Sequence, residues 1–280
     1  MHKEIITKFT ILATFLILIF LNIVYLSSPK ITIKKINEEI PKAFVNPSTD
    51  LPIKKHRPKE ERKEIIPSIV SDKTIYLTFD DGPSYLTNDI LNILNKENVP
   101  ATFFVIGSHI DEYSNTVSRA YNEGHTIGLH TFTHNYKYVY SSDDNYFNDL
   151  KQINDKVYNI TGHHSRIVRL PGGSSNTVSK KYNKGIVTRI TTTLNNNNYY
   201  YFDWNVDSGD ASGKLTKDQI IHNTKLNLHH GTNIILMHDT AAKKSTVEAL
   251  PEIIKYAKEN GYTFARITKD TMSIRHHINN

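Results

Sequence analysis

Between Lys73 and Ile267 the chain alternates short apolar runs with stretches of helical period, about six or seven times in roughly 200 residues and without internal repeats. Parallel strands joined by crossover helices satisfy that pattern, so it predicts a (β/α) barrel or a wound sheet. In such folds chemistry gathers at the C-terminal ends of the strands. In the first run, Lys73 to Phe79, the residues Ile75, Leu77 and Phe79 alternate with Tyr76 and Thr78, and the run stops at Asp80-Asp81-Gly82-Pro83. Asp-Gly is an ordinary turn dipeptide, so on its own this carboxylate pair reads as a surface turn.

The later elements follow from spacing. Helices are predicted over Leu86–Asn98, Ile110–Glu123 and Ser142–Ile160, with strands at Pro100–Ile106, Thr126–His130 and Arg166–Leu170. Val178, Tyr182, Ile186, Ile190 and Leu194 recur every four residues and predict another helix, and Tyr200–Val206 a strand. Two capping boxes, Thr216-Lys-Asp-Gln219 and Ser245-Thr-Val-Glu248, open helices on either side of a strand over Asn233–Met237. Gly261 precedes a last strand, Tyr262–Ile267.

The chain before Lys73 has a different texture. Ile5 to Leu26 is almost uninterrupted apolar sequence; at about 1.5 Å per residue it can cross a hydrocarbon layer of about 30 Å. Lys3 and Lys8 favour a cytoplasmic N-terminus, and no small-residue cleavage site follows. Residues 1–26 therefore read as a signal anchor, a single pass that leaves the rest of the chain outside the cell membrane. A cleaved signal peptide followed by secretion is the alternative. Residues 27–72 hold six of the ten prolines and read as an extended linker. From Ser27 to Lys73 there are eleven Lys/Arg against seven Asp/Glu, which accounts for most of the net charge of +6. Such placement argues against nucleic acid and for a nearby anionic surface, either lipid head groups or an acidic wall polymer. A catalytic domain is expected over 73–270, with a tail at 271–280. Nothing in the sequence specifies an oligomeric state. Cysteine is absent, which excludes a thiol nucleophile, a thiolate metal site and a disulfide, so any metal must use His, Asp or Glu.

The strand ends supply Asp80-Asp81, His130 with His134, Arg169, Asp207 and His238-Asp239. The i, i+4 spacing of His130-Thr-Phe-Thr-His134 lets two imidazoles converge on one ion if the segment forms a helical turn. With a carboxylate from another strand end this makes a His₂-carboxylate set with open positions for water and substrate. A metal so held brings the pKa of its water towards about 7 and polarises a carbonyl, as amide hydrolysis requires. One of the adjacent aspartates can then ligate while the other takes the water's proton. The pairs His163-His164, His229-His230 and His276-His277 fall in loops or at the terminus and are assigned no role.

The ordered set Thr78-Phe-Asp-Asp-Gly82, His130-x-x-x-His134, Arg169-Leu-Pro171, Asp207-Ser-Gly-Asp210 and Leu236-Met-His238 resembles the five motifs of carbohydrate esterase family four, the NodB-homology polysaccharide deacetylases. The match runs in order from Lys73 to Thr268. The resemblance implies a distorted (β/α) barrel that hydrolyses N-acetyl groups of N-acetylglucosamine polymers with a divalent metal, usually zinc, with cobalt, nickel, manganese or iron as other candidates. It implies Asp80 as base, Asp81, His130 and His134 as metal ligands, Arg169 as the residue orienting Asp80, His238 as the acid and Asp207 as the carboxylate behind that acid. It also places Pro171, Gly172, Leu236 and Trp204 at the substrate, with the Gly172 N–H facing the oxyanion. The chain departs from many members in having Gly172-Gly173 after Arg-x-Pro and Ala211 after Asp-x-x-Asp.

The leading expectation is a membrane-anchored enzyme acting on peptidoglycan N-acetylglucosamine, with the cell-wall glycan as partner. The same site would serve an O-acetyl esterase on xylan or another polymer, or a deacetylase of N-acetylmuramic residues. A non-catalytic glycan-binding protein would leave Asp80, Arg169 and His238 without a use. A non-haem iron oxygenase shares the ligand trio, but no cosubstrate motif is evident.

Overall fold

The computed structural model describes residues 72–279; the predicted anchor and all but the last residue of the predicted linker lie outside them. Eight strands form one sheet, and every pairing between them is parallel. The strands are β1 (Lys73–Asp80), β2 (Ala101–Val105), β3 (Thr126–Leu129), β4 (Ile167–Val168), β5 (Tyr200–Tyr201), β6 (Val206–Asp207), β7 (Gly231–His238) and β8 (Thr263–Phe264). Their order is β5-β4-β3-β2-β1-β7-β6, with β8 beside the lower half of β1. The two outer strands, β5 and β6, are consecutive in the chain and are joined by residues 202–205, so the sheet curls into a half-barrel that the chain itself spans.

β1 and β7 are the longest strands, and both are buried over most of their length, as expected of parallel strands covered on both faces. Their register runs unbroken from Lys73↔Gly231 to Asp80↔His238, which brings a carboxylate and an imidazole to the same level at the C-terminal mouth.

The helices are α1 (Thr87–Glu97), α2 (Gly107–Ile110), α3 (Ser114–Asn122), α4 (Tyr136–Val139), α5 (Asp143–Thr161), α6 (Ile186–Asn196), α7 (Lys217–Asn227) and α8 (Lys244–Glu259). α5 is the best punctuated. The Ser142 hydroxyl accepts from Asn145 N–H, Asp143 and Asp144 lie in the positive first turn, and Gly162 ends the helix at φ 78°. Its apolar stripe, Phe147, Leu150, Ile153 and Val157, is buried in the core. α7 carries the predicted capping box at Thr216 and Gln219.

Four predicted elements differ. The helix over Ile110–Glu123 begins later, as α3 at Ser114, and the short α2 that precedes it ends at Ile110. The four-residue period from Val178 yields only a short 3₁₀ turn at Ser179–Lys181. Asn176 Oδ1 accepts from Ser179 N–H, Gly185 takes φ 74°, and α6 begins after it. The strand over Tyr200–Val206 is broken because the carbonyls of Phe202 and Asp203 accept from the Arg169 guanidinium instead of from a neighbouring strand. The second capping box does not form: α8 starts at Lys244 without a side-chain cap, and the Thr246 hydroxyl donates to Asp210.

Candidate active site

Successive side chains of a strand point to opposite faces, so Asp80 and Asp81 would diverge if β1 continued. Asp81 instead adopts φ 69°, in the left-handed region, and the chain bends there. Both carboxylates then approach one atom: His130 Nε2 lies 3.4 Å from Asp81 Oδ1 and 3.9 Å from Asp80 Oδ2. His134 Nε2 is also 3.4 Å from Asp81 Oδ1.

The segment carrying the two histidines is not the predicted helical turn. Thr131 and His134 take φ 68° and 51°, and the loop is shaped from outside by Asp149 of α5. The Asp149 carboxylate accepts from Phe132 N–H, from Thr133 N–H at 3.2 Å and from the Thr133 hydroxyl at 2.7 Å. Asp149 carried no motif in the sequence; a buried acid among the apolar positions of α5 was its only signal.

Asp81, His130 and His134 are the cluster among the described residues whose donor atoms could share an ion, with all three atoms within 4.8 Å of one another. Two further observations fit a divalent cation there. Asp81 Oδ1 is buried without a hydrogen bond, since its 3.4 Å contact with His130 lacks hydrogen-bond geometry. His130 Nδ1 donates to the Arg169 carbonyl at 2.8 Å, which leaves the Nε2 lone pair facing the cluster. Burial works against the charge of Asp81, but the three imidazoles of His130, His134 and His238 outweigh it and hold the carboxyl well below its usual range. His134 is pushed down to about 4, by burial first and then by His130, so its ring is neutral at ordinary pH. His130 moves upward, because Asp80 and Asp81 outweigh its burial; the same two charges would attract a cation to that place.

Asp80 is set apart from this trio by its partner. Arg169, wholly buried, donates from NH1 to Asp80 Oδ1 at 2.8 Å and to the Thr78 hydroxyl oxygen at 2.7 Å. Its Nε and NH2 donate to the carbonyls of Phe202 (3.0 Å) and Asp203 (3.1 Å), and its cation lies 4.2 Å from the Phe104 ring centre. All three guanidinium nitrogens are thus engaged. One carboxylate oxygen of Asp80 is fixed and the other is turned towards the cluster.

The carboxylate behind His238 is Asp210, not Asp207. Asp207 is exposed at the end of β6 and accepts from Gly209 N–H at 2.7 Å, a local turn that Gly209 completes at φ 76°. That turn carries the chain back so that Asp210 Oδ1 accepts from His238 Nδ1 at 2.7 Å. Asp210 Oδ2 accepts from His238 N–H (2.8 Å) and the Thr246 hydroxyl (2.9 Å), so the carboxylate is clamped. Burial disfavours the imidazolium, but Asp210 first and then Asp80 and Asp81 outweigh it and raise the His238 pKa. Both aspartates stand in the Asp207-x-x-Asp210 motif, and only the turn geometry distinguishes them.

The predicted substrate positions fall on two walls. Leu236 sits two residues before His238 on β7, on the same face and buried. Pro171 and Gly172 follow Arg169 in a loop whose Pro171 carbonyl accepts from the Tyr140 hydroxyl at 2.7 Å. Trp204 backs that loop: a side chain on Gly173 would begin 3.0 Å from the indole ring. Residues 273–279 strap the same region from behind. His276 N–H donates to Asp203 (2.8 Å), its ring nitrogens lie 2.6 Å from the Trp204 carbonyl and 3.1 Å from the Ser175 hydroxyl, and Ile278 packs on the core. His276 was given no role by its terminal position. Tyr136, the first residue of α4, was also missed; its ring stands edge-on to His134 with centres 5.5 Å apart. Burial, then Asp81 and Asp80, push its hydroxyl up to about 12, so it is neutral.

Residues 68–187 match the model of the polysaccharide deacetylase family. Over 231 residues the chain is 33% identical to a peptidoglycan-N-acetylglucosamine deacetylase of Bacillus cereus, a match that spans 80% of this chain and 81% of that protein. The chain belongs to the polysaccharide deacetylase family. This deacetylase also superposes on the crystal structure of the catalytic domain of peptidoglycan N-acetylglucosamine deacetylase from Eubacterium rectale with a TM-score of 0.73 at 39% identity, covering 76% of this chain and 97% of that one. A peptidoglycan-N-acetylmuramic acid deacetylase of Bacillus subtilis is 31% identical over 70% of each chain. Alternation predicts parallel strands in a (β/α) barrel or a wound sheet; the half-barrel of parallel strands observed is the family's fold.

Proposed function

We propose that the chain is a metal-dependent hydrolase that removes acetyl groups from N-acetylglucosamine in cell-wall polysaccharide, with peptidoglycan as its substrate and zinc as its ion. The observation that carries this reading is the placement of Asp80 and His238 at one level of adjacent strands, each oriented by its own partner, beside the Asp81, His130 and His134 cluster. One oriented base, one oriented acid and a cation cradle are the parts that amide hydrolysis needs.

Asp81, His130 and His134 would hold the ion, which when bound acidifies water and polarises the acyl oxygen. Asp80 takes the proton of the attacking water on the oxygen that Arg169 leaves free. Arg169 keeps that carboxylate aimed. His238, kept cationic by Asp210, gives its Nε2 proton to the leaving nitrogen, so acetate and a free amine depart. The Gly172 N–H faces the oxygen on which negative charge develops. Leu236, Pro171 and Trp204 wall the acyl group.

The relatives whose names specify peptidoglycan N-acetylglucosamine support the choice of substrate. The apolar segment Ile5–Leu26 supports export and a membrane anchor that keeps the catalytic domain at the wall. Mass spectrometry of purified wall glycan, before and after incubation with the metal-loaded soluble part, tests the reading. Loss of 42 Da, about the mass of one acetyl group less a proton, from N-acetylglucosamine alone is the expected result. Loss from muramic residues, or from an O-acetyl ester only, would overturn the assignment of substrate.

A further inference from the structure

Two hydrogen-bond donors beside the cluster have no partner among the described residues: the Gly172 N–H and the Tyr136 hydroxyl. Their closeness is set by the backbone. Gly172 takes φ +74°, and a Cβ placed on it would lie 2.6 Å from the Tyr136 oxygen, so the phenol occupies the space that any side chain at 172 would need. In the same loop the Pro171 carbonyl receives the Tyr140 hydroxyl. A half-buried phenol ordinarily finds an acceptor. Among the described residues this one has none.

The spacing of the two donors is rigid. Asn135 caps α4 by accepting from Tyr138 N–H, and Tyr140, at the other end of α4, is tied to Pro171. Asn176 Nδ2 donates to the Gly173 carbonyl at 2.7 Å and approaches the Tyr140 oxygen at 3.4 Å, which fastens the loop to the same helix. Tyr136 packs edge-on against both His134 and Tyr140, with ring centres 5.5 and 5.6 Å apart. An N–H and an O–H, both without a partner among the described residues and held close together beside His134, are placed to share one acceptor.

We propose that the Tyr136 hydroxyl is a second donor to the acyl oxygen of the substrate, paired with the Gly172 N–H and tightening as that oxygen becomes an oxyanion. This rests on the hydrolytic reading above. Glycine at 172 is then required by the phenol as well as by its own φ, and the site trades a side chain on the loop for a hydroxyl from α4. Donors of this kind act on the transition state more than on the bound substrate.

The test compares the metal-loaded wild type with Tyr136→Phe on N-acetylglucosamine oligomers of defined length. Removal of one oxyanion donor lowers kcat by about 10²-fold, with KM nearly unchanged and metal content the same by elemental analysis. Calorimetry with a methylphosphonamidate of glucosamine, a tetrahedral mimic, should show a comparable loss of affinity, while affinity for the substrate in a slow Asp80→Asn background is retained. An unchanged kcat, or equal weakening of mimic and substrate, would overturn the inference. Gly172→Ala gives an independent reading, because it displaces the hydroxyl only when one is present: it should cost kcat more in the Tyr136 protein than in Tyr136→Phe. Equal costs in both backgrounds would also overturn it. A wild type inert on every N-acetyl glycan would sink the hydrolytic reading and this inference together, whereas an active wild type beside an unaffected Tyr136→Phe removes this inference alone.

Discussion

Asp80 and Asp81 are neighbours in sequence and opposites in environment. Asp80 is 3% exposed and bonded to a guanidinium that is itself satisfied by two carbonyls and a hydroxyl. Asp81 is buried at Oδ1 with no hydrogen bond. A satisfied carboxylate is a positioned one, and an unsatisfied buried carboxylate is a place for something else, because the desolvation of an unpaired acceptor costs about 1–3 kcal/mol, or more for a charged one. On this comparison the first fits the proton-transfer role proposed above and the second the ion-holding one. Asp210 and Asp239 extend it to the other side of the mouth: Asp210 is paired with the imidazole of His238, whose pKa it raises, whereas among the described residues Asp239 has the side-chain hydroxyls of Ser84 and Thr87.

The sharpest way to break the contrast is to neutralise each member in turn. Asp80→Asn should lower acetate release by ~10³-fold or more while the protein still binds one metal ion. Asp81→Asn should lose the ion itself. Elemental analysis beside an acetate assay separates the two, and a metal-free Asp80→Asn protein would reverse the roles assigned here. The next largest effect concerns stability. Arg169→Leu strands the buried Asp80 charge and two carbonyls, and should cost about 3–5 kcal/mol, read as a shift in the denaturant midpoint. A loss below about 1 kcal/mol would mean that Asp80 is hydrated in the folded protein, not held by Arg169.

A smaller effect separates Asp210 from Asp207. In the role proposed for it His238 acts as an acid below its pKa, so activity should decline as pH rises through that value. Burial alone would lower the pKa; Asp210 is the main influence raising it. Asp210→Asn should therefore move the alkaline limb of the kcat profile to lower pH and lower activity at neutral pH by about tenfold or more. Asp207→Asn should leave the limb where it is, since its carboxylate only closes a turn with Gly209. A shift in the Asp207 variant and none in the Asp210 variant would restore the assignment that the family motif suggests.

The same contrast explains what the chain discloses before it is folded. Strands β1 and β7 are legible because alternation and apolar runs are local properties, and Asp80, Asp81, His130, Arg169 and His238 are legible because each follows such a run. The residues that aim them are not. Asp149 shapes the His134 loop from the middle of a helix, Thr246 clamps Asp210 from what reads as a cap, and His276 reaches Trp204 and Asp203 from the far terminus. Each acts through contacts distant in sequence, and such contacts leave no period. The helix misplaced over 178–185 failed for a local reason: a glycine in the left-handed region outweighed a four-residue apolar repeat.

Asp239 gives the smallest effect and the cleanest sign. Burial pushes its carboxyl up to about 7, against the smaller opposing pull of the Thr87 and Ser84 hydroxyls. Its ordinary value is 3.8, so between about pH 4 and pH 7 the folded chain holds a proton that the unfolded chain has released. The folded-state pKa is the higher one. This group's contribution to stability is therefore fully present below pH 4, and it declines as pH rises to 7, by at most about 1.4 kcal/mol per pH unit. Asp239→Asn keeps the shape without the titration and should flatten that part of the curve, measured as the denaturant midpoint at pH 5 and pH 7.5. Parallel slopes in the two proteins would show that Asp239 is ionised throughout. A cation or an additional donor would then have to stand by it, and the distinction between a carboxylate partnered by charge and one partnered by hydroxyls would fall.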